Sequence, residues 1–167
     1  MPVHRGPVLL DANSTIEAHR VGAWDALAAR YRLVMVQKCI DETQTGNQRR
    51  EPEETIDYDH LLASLLERHP DDLVAIMGIQ LSPGGSLLDK GETSLWAHAL
   101  KRTDDWVLCG PDAASMRFGF YRKRRDSLVS LGGLLADIGH RPVTPLRRNY
   151  EKAWLDALIH KLAMGLL

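Results

Sequence analysis

Four acidic residues stand where short apolar runs give way to polar sequence. Asp11 follows VLL (8–10), and Glu42 comes a few residues after RLVMVQ (32–37). Glu92 opens the helical pattern GETSLWAHALKR, and Asp112 comes two residues after WVLCG (106–110). Any one of these acids has a plain use. In the first turn of a helix a carboxylate caps free N–H groups or offsets the dipole, for about 0.3–1 kcal/mol. Convergence of all four would mean something else. Two carboxylates about 4 Å apart repel by roughly 4 kcal/mol at an effective dielectric near 20. A shared site therefore needs a proton or a cation to relieve it. All-oxygen carboxylate sets suit Mg2+ or Mn2+. Such ions activate water and stabilise the charge that develops as a phosphodiester is cleaved.

Whether the acids meet depends on the elements that carry them. The run 8–10 reads as a short strand. Ile16, Val21, Trp24, Leu27 and Ala28 then recur at helical spacing, with Ser14 or Thr15 as the cap. RLVMVQ reads as a second strand, followed by a short helix bearing Cys39, Ile40 and Glu42. Residues 44–58 are polar, contain Gly46 and Pro52, and read as an exposed loop or insertion. HLLASLLERH (60–69) predicts a helix stopped by Pro70, residues 71–81 fit helix and strand equally, and SPGGS (82–86) is a turn. Leu95, Trp96, Ala99 and Leu100 share one helical face, and WVLCG is a buried strand. PDAASMRFGFYRKR (111–124) predicts a helix with proline in its first turn. A strand at 127–131 and a short helix at 131–139 precede a last amphipathic helix with Leu155, Leu158, Ile159, Leu162 and Leu166 on its apolar face.

Strands alternating with helices predict a parallel sheet covered by helices, in which ligands bind beyond the carboxyl ends of the strands. Asp11 and Asp112 would then leave the sheet on one edge. Glu42 and Glu92 would face them from helices.

The chain has 167 residues, 44% hydrophobic and 26% charged, which suits one domain with a substantial core. Its net charge of −1 gives no bulk attraction for nucleic acid or anionic membrane, so such binding needs a local patch. No apolar run approaches the ~20 residues of a membrane span, and the N-terminus is a poor signal peptide. The two cysteines, Cys39 and Cys109, lie in apolar surroundings and read as buried free thiols of a cytoplasmic protein. Arg122, Lys123, Arg124 and Arg125 form a basic run, with Arg141, Arg147 and Arg148 after it. Such a run is a solvated helix end or a contact for an RNA backbone. QRRE (48–51) is a second, weaker basic segment. The seven histidines show no metal-ligand spacing, and His98 reads as a packing or surface residue. No G-x-S-x-G is present, and the four tryptophans read as core or interface.

VLLDANSTIE, CIDETQTG, LDKGETSLWAHAL and VLCGPDAASMR together resemble the PIN-domain nucleases, a family that includes the toxin half of many toxin–antitoxin pairs. The order and spacing match from about residue 8 to about residue 140. The most specific parts are GE opening an alanine- and leucine-bearing helix and a strand followed by D-A-A. The resemblance implies a three-layer α/β/α sandwich with a central, mainly parallel sheet, and metal-dependent hydrolysis of RNA. It carries metal-binding acids onto Asp11, Glu42, Glu92 and Asp112, with Mg2+ or Mn2+ as cofactor, and makes Asn13 the polar support of the first acid. Asp89, three residues before Glu92, is an alternative ligand. An antitoxin partner and a homodimer through helix faces belong to the same analogy. The chain departs from the family at Gly110 and Pro111, where a threonine or serine and a second acid are common. Two other readings stand beside this one. One is a haloacid-dehalogenase-like phosphatase with Asp11 as nucleophile, although Asn13 stands where its general acid is usually aspartate. The other is a catalytically degenerate PIN domain that only binds RNA or protein.

Overall fold

The computed structural model describes residues 2–46 and 50–167. Its centre is a five-stranded sheet of β1 (Pro7–Leu10), β2 (Arg32–Val36), β3 (Glu67–His69), β4 (Val107–Cys109) and β5 (Leu128–Val129). All strands are parallel, in the order β3-β2-β1-β4-β5. Val8 pairs with Leu33 on one side and Val107 on the other, which puts β1 at the centre. Parallel strands covered on both faces must be apolar throughout. VLL, LVMV and LC obey that rule and are fully buried. The α/β class expected from the sequence is the class found.

Flanking the sheet are α1 (Ala12–Arg20), α2 (Trp24–Arg30), α3 (Gln37–Thr43), α4 (Tyr58–Ser64), α5 (Leu73–Gln80), α6 (Lys90–Ala99), α7 (Ala113–Tyr121), α8 (Leu131–Asp137) and α9 (Lys152–Ala163). Several differ from the sequence expectation for identifiable reasons. The helical pattern after residue 11 is two helices, because Gly22 adopts φ +71° and turns the chain between them. Both halves still bury apolar residues, Ala18 in α1 and Trp24 and Leu27 in α2, so the periodicity ran across the break. The cap of α1 is Asp11, whose Oδ1 accepts from the Ser14 amide at 2.8 Å; Ser14 and Thr15 lie inside the helix. Pro111 precedes the Asp112 cap of α7 and so stands outside that helix.

The expected helix over 60–69 ends at Ser64, and Glu67–His69 is instead the edge strand. Pairing with β2 decides this, through Leu66 N–H to Leu33 O at 2.8 Å and the register Val34 to Glu67. Charged residues on an edge strand also discourage further strand addition. Residues 71–81 were ambiguous because α5 is apolar nearly all round. Leu73, Val74, Met77 and Leu81 remain 74%, 81%, 59% and 86% exposed.

Trp96 is fully buried, donates from Nε1 to Ser115 Oγ at 2.9 Å, and packs against Phe118 and Trp106. A Cβ at Gly119 would meet its ring at 2.5 Å, so only glycine lets α7 approach so closely. In the described part of the 44–58 insertion, Glu54 pairs with Arg147, itself also paired with the buried Glu17. Of the basic QRRE segment, Gln48 and Arg49 lie outside the described residues, while Arg50 donates to the carbonyls of Glu42 and Thr43. Cys39 and Cys109 are buried and free, as expected. Among the described residues no helix is long and apolar enough to cross a membrane.

Candidate functional site

The carboxyl ends of β1 and β4 release Asp11 and Asp112 on the same edge, as parallel strands must. The Asp11 amide donates to Cys109 O at 3.4 Å, which fixes the two strand ends side by side. Asp11 is only 5% exposed. Burial pushes its carboxyl up to about 7, against the Ser14 hydrogen bonds, which favour the charged form, and the charges of Asp89 and Glu42 add to the rise.

Glu92 stands in the first turn of α6 and is 6% exposed. Burial first, then the neighbouring Asp112 charge, push it up to about 8, and Asp89 and Asp11 add to the effect. Asp89 and Glu92 also form a reciprocal capping box. Asp89 Oδ1 accepts from the Glu92 amide at 2.8 Å, and Glu92 Oε2 accepts from the Asp89 amide at 3.1 Å. Glu42 reaches the same place from α3. Its carboxylate lies against the backbone of Gly91, where a Cβ would come within 2.5 Å of Oε2. Burial and then the Asp89 charge raise its pKa.

Asp112 caps α7 by accepting from the Ser115 amide at 3.0 Å. Asp11, Asp89 and Asp112 therefore all carry out ordinary N-capping, and three helix starts are what bring them together. The electrostatic coupling links Asp11, Glu42, Asp89, Glu92 and Asp112 into one group.

Sequence reasoning missed Asp71. It accepts from the Lys38 amide at 3.1 Å and from the Ser94 hydroxyl, and its charge raises Glu42. Its signal is an aspartate two residues past a strand, which the helical spacing of the preceding residues conceals. Asn13 is exposed, and it is Ser14 that hydrogen-bonds Asp11.

The donor set is entirely carboxylate oxygen. The nearby Cys39 thiol is buried, donates to Gly91 O at 3.4 Å and is held protonated by burial and by the acids around it. That chemistry fits a hard divalent ion. Among the described residues, no three His, Cys, Asp or Glu side chains are drawn into a ligating arrangement. Asp89 is exposed and Glu42 and Asp112 are half-buried, while Asp89 and Asp112 are each engaged in a helix cap and Glu42 lies against Gly91.

The basic run does not surround the acids. It begins where α7 ends, and nine helical residues span about 13.5 Å. The run also divides. Arg122 lies over the Phe118 ring at 3.9 Å, whereas Arg124 lies over Trp106 at 5.4 Å, and Lys123 sits in the turn between at φ +60°. Lys123 and Arg125 are exposed. Arg148 and Lys161 instead line a cavity of about 430 Å³ that reaches Ala113, beside Asp112, with Trp154 on its wall. His98 stacks on His69 at 4.1 Å and is pushed down to about 4 by burial and then by that neighbour, which is packing.

The chain was compared with protein-family models, curated proteins and solved structures, and none of the three comparisons gave a match.

Proposed function

We propose that the protein is a divalent-metal-dependent ribonuclease of PIN type. The observation that supports it most is the burial of Asp11 and Glu92 among three further carboxylates at the carboxyl edge of a parallel sheet. Two buried acids raised to about 7 and about 8 are costly to ionise side by side, and a cation relieves that cost.

In this reading Asp11, Glu42, Glu92 and Asp112 would hold Mg2+ or Mn2+, with Asp89 as the alternative to Glu92. When bound, the ion lowers the pKa of water and neutralises charge on the phosphoryl oxygens. The chain's own part is positioning. Ser14 holds the Asp11 carboxylate through its amide, and the Gly91 backbone seats Glu42. Asp112 precedes Ala113 on the wall of a cavity lined by Arg148, Lys161 and Glu151, whose two cations suit phosphate. Water would add to phosphorus as the P–O bond to the leaving sugar oxygen breaks, with one water proton ending on that oxygen, so no side-chain nucleophile is needed.

The test is cleavage of a fluorophore-quencher RNA in Mn2+. Asp11→Asn and Glu92→Gln should each lower the rate at least about a hundredfold. Unchanged rates would overturn the reading.

One observation favours a second reading, the binding-only PIN domain. Gly110 and Pro111 supply neither the hydroxyl nor the extra acid of the family, and the acids stand apart from ligating geometry. RNA binding without any Mn2+-dependent cleavage would select it. The phosphatase reading has less support, since Asn13 is exposed and has no proton to give as an acid. Turnover of an aryl phosphate with a phosphorylated Asp11 would restore it. The antitoxin, the second copy and the cytoplasmic setting rest on the sequence and the resemblance alone.

A further inference from the structure

A groove of about 490 Å³ runs along α7, on a wall of the helix different from the cavity with Arg148. Residues 83–87 form its other side, with Gly84 in a left-handed turn at φ +79°. Both walls are close in sequence to acids of the candidate site. Leu87 lies two residues before Asp89, and Ala114 lies two residues after Asp112.

The groove is furnished for something flat and negatively charged. Tyr121 is 53% exposed at its far end, and its hydroxyl is held by donating to Leu167 O at 2.9 Å. Arg117 lies over the Tyr121 ring at 5.6 Å. Arg122 lies over Phe118 and is held at its edge by donating to Pro83 O at 3.3 Å. Among the described residues neither Arg117 nor Arg122 has a carboxylate partner. Two arginines already seated on aromatic rings lose little side-chain freedom on binding. Phe118 is buried beneath Arg122, so Tyr121 is the exposed ring of the groove. An exposed aromatic ring beside guanidinium planes and uncompensated positive charge is how unpaired nucleic acid is bound without reading sequence. A duplex buries its base faces in stacking and has none to offer.

We infer that this groove binds an unpaired RNA strand on its way from the acidic site, with a base stacked at Tyr121 and backbone phosphate on Arg117 and Arg122. The inference rests on the ribonuclease reading for the identity of the strand. The length of α7 sets its reach. A stacked strand advances about 3.4 Å per nucleotide, so the 13.5 Å of helix takes about four nucleotides, and fewer if the strand is extended.

The experiment is fluorescence anisotropy with a short labelled single-stranded RNA in EDTA, where a metal-dependent nuclease cannot cut. Tyr121→Ala should weaken binding roughly five- to hundredfold, as loss of one stacked base does. Tyr121→Phe should retain it, which separates the ring from the bond to Leu167. Arg117→Gln with Arg122→Gln should weaken binding and flatten its salt dependence, while Arg5→Gln, exposed near the N-terminus, should do neither. A duplex of the same length should bind more weakly. The inference is overturned by wild-type protein that fails to bind, by a duplex bound equally well, or by Tyr121→Ala binding as wild type. It is also overturned if the arginine changes act while an acidic peptide displaces the RNA at equal charge, which would mark a protein-binding groove. Cleavage in Mn2+ is scored separately. Intact binding without cleavage fails the nuclease reading and leaves the groove; cleavage unaffected by Tyr121→Ala does the reverse.

Discussion

The carboxylate of Glu42 fills the space that a side chain on residue 91 would need, with Oε2 2.5 Å from where a Cβ on Gly91 would stand. The glycine before Glu92 is therefore a seat for another acid, contributed by a helix about fifty positions earlier in the chain. Glu42 and Glu92 reach one place because α3 and α6 pack together.

Gly91→Ala tests that relationship. Alanine is favoured over glycine inside a helix by up to about 1 kcal/mol, and the atom it meets is the free end of a flexible side chain. The fold should therefore be kept, with a melting temperature within a few degrees of wild type. Glu42 should be displaced, and RNA cleavage should fall at least about tenfold. Unchanged cleavage with unchanged stability would remove Glu42 from the site.

The buried acids also predict how stability depends on pH. Asp11 and Glu92 have folded pKa values of about 7 and about 8, above their ordinary values of 3.8 and 4.5. The folded state thus holds protons that the unfolded state has released. Their contribution is full below about pH 4 and is lost as pH rises through about 7 to 8. In EDTA the melting temperature should fall between pH 5 and pH 8 by at least about 5 °C from these groups. Glu92→Gln keeps a capping acceptor without the charge, so its fall should be smaller. Parallel curves for the two proteins would show that Glu92 is not held protonated.

Much of this was legible from residue types alone. VLL, LVMV and WVLC are apolar on both faces, and in a chain that alternates strand and helix such runs are parallel strands. The same logic places Asp11 and Asp112 on one edge of the sheet. The third strand was hidden because LLASLLERH has helical spacing, and only pairing of Leu66 with Leu33 selects the extended form. Asp71 was lost with it. Gly91 and the groove along α7 were invisible for a different reason: both depend on approach between segments distant in sequence. The basic run does not act as one patch: the turn at Lys123 leaves Arg122 over Phe118, on the groove along α7, and sends Arg124 over Trp106.

Metal binding should be measurable without activity. An ion that binds only the folded state stabilises it by about 2.7 kcal/mol at a hundred times its Kd. For a domain of this size that is a rise in melting temperature of roughly 5–10 °C. Mn2+ should produce it at pH 8 and much less at pH 5.5, where Asp11 and Glu92 keep their protons. Asp112→Asn should abolish most of the rise. A wild-type melting curve indifferent to millimolar Mn2+ and Mg2+ at pH 8 would end the metal reading.

Gly110 stands beside the Asp11 carboxylate. A Cβ there would meet Met116 Cε at 3.5 Å and Asp11 Oδ2 at 3.6 Å, which is ordinary contact. Its backbone is not in the left-handed region, so a larger residue meets no strain of that kind. Gly110→Ser should therefore fold, with a melting temperature within a few degrees of wild type. Its hydroxyl would stand beside Asp11 and have a carboxylate oxygen to donate to. A hydrogen bond to the charged form lowers a carboxyl pKa, which opposes the burial that now holds Asp11 near 7. The acidic limb of the pH–rate profile should then move down by up to about one unit, at unchanged or higher maximal rate. A profile that stays in place in a folded Gly110→Ser protein would mean that Asp11 does not set that limb. A lower maximal rate would mean that the glycine is needed for access to the carboxylate edge.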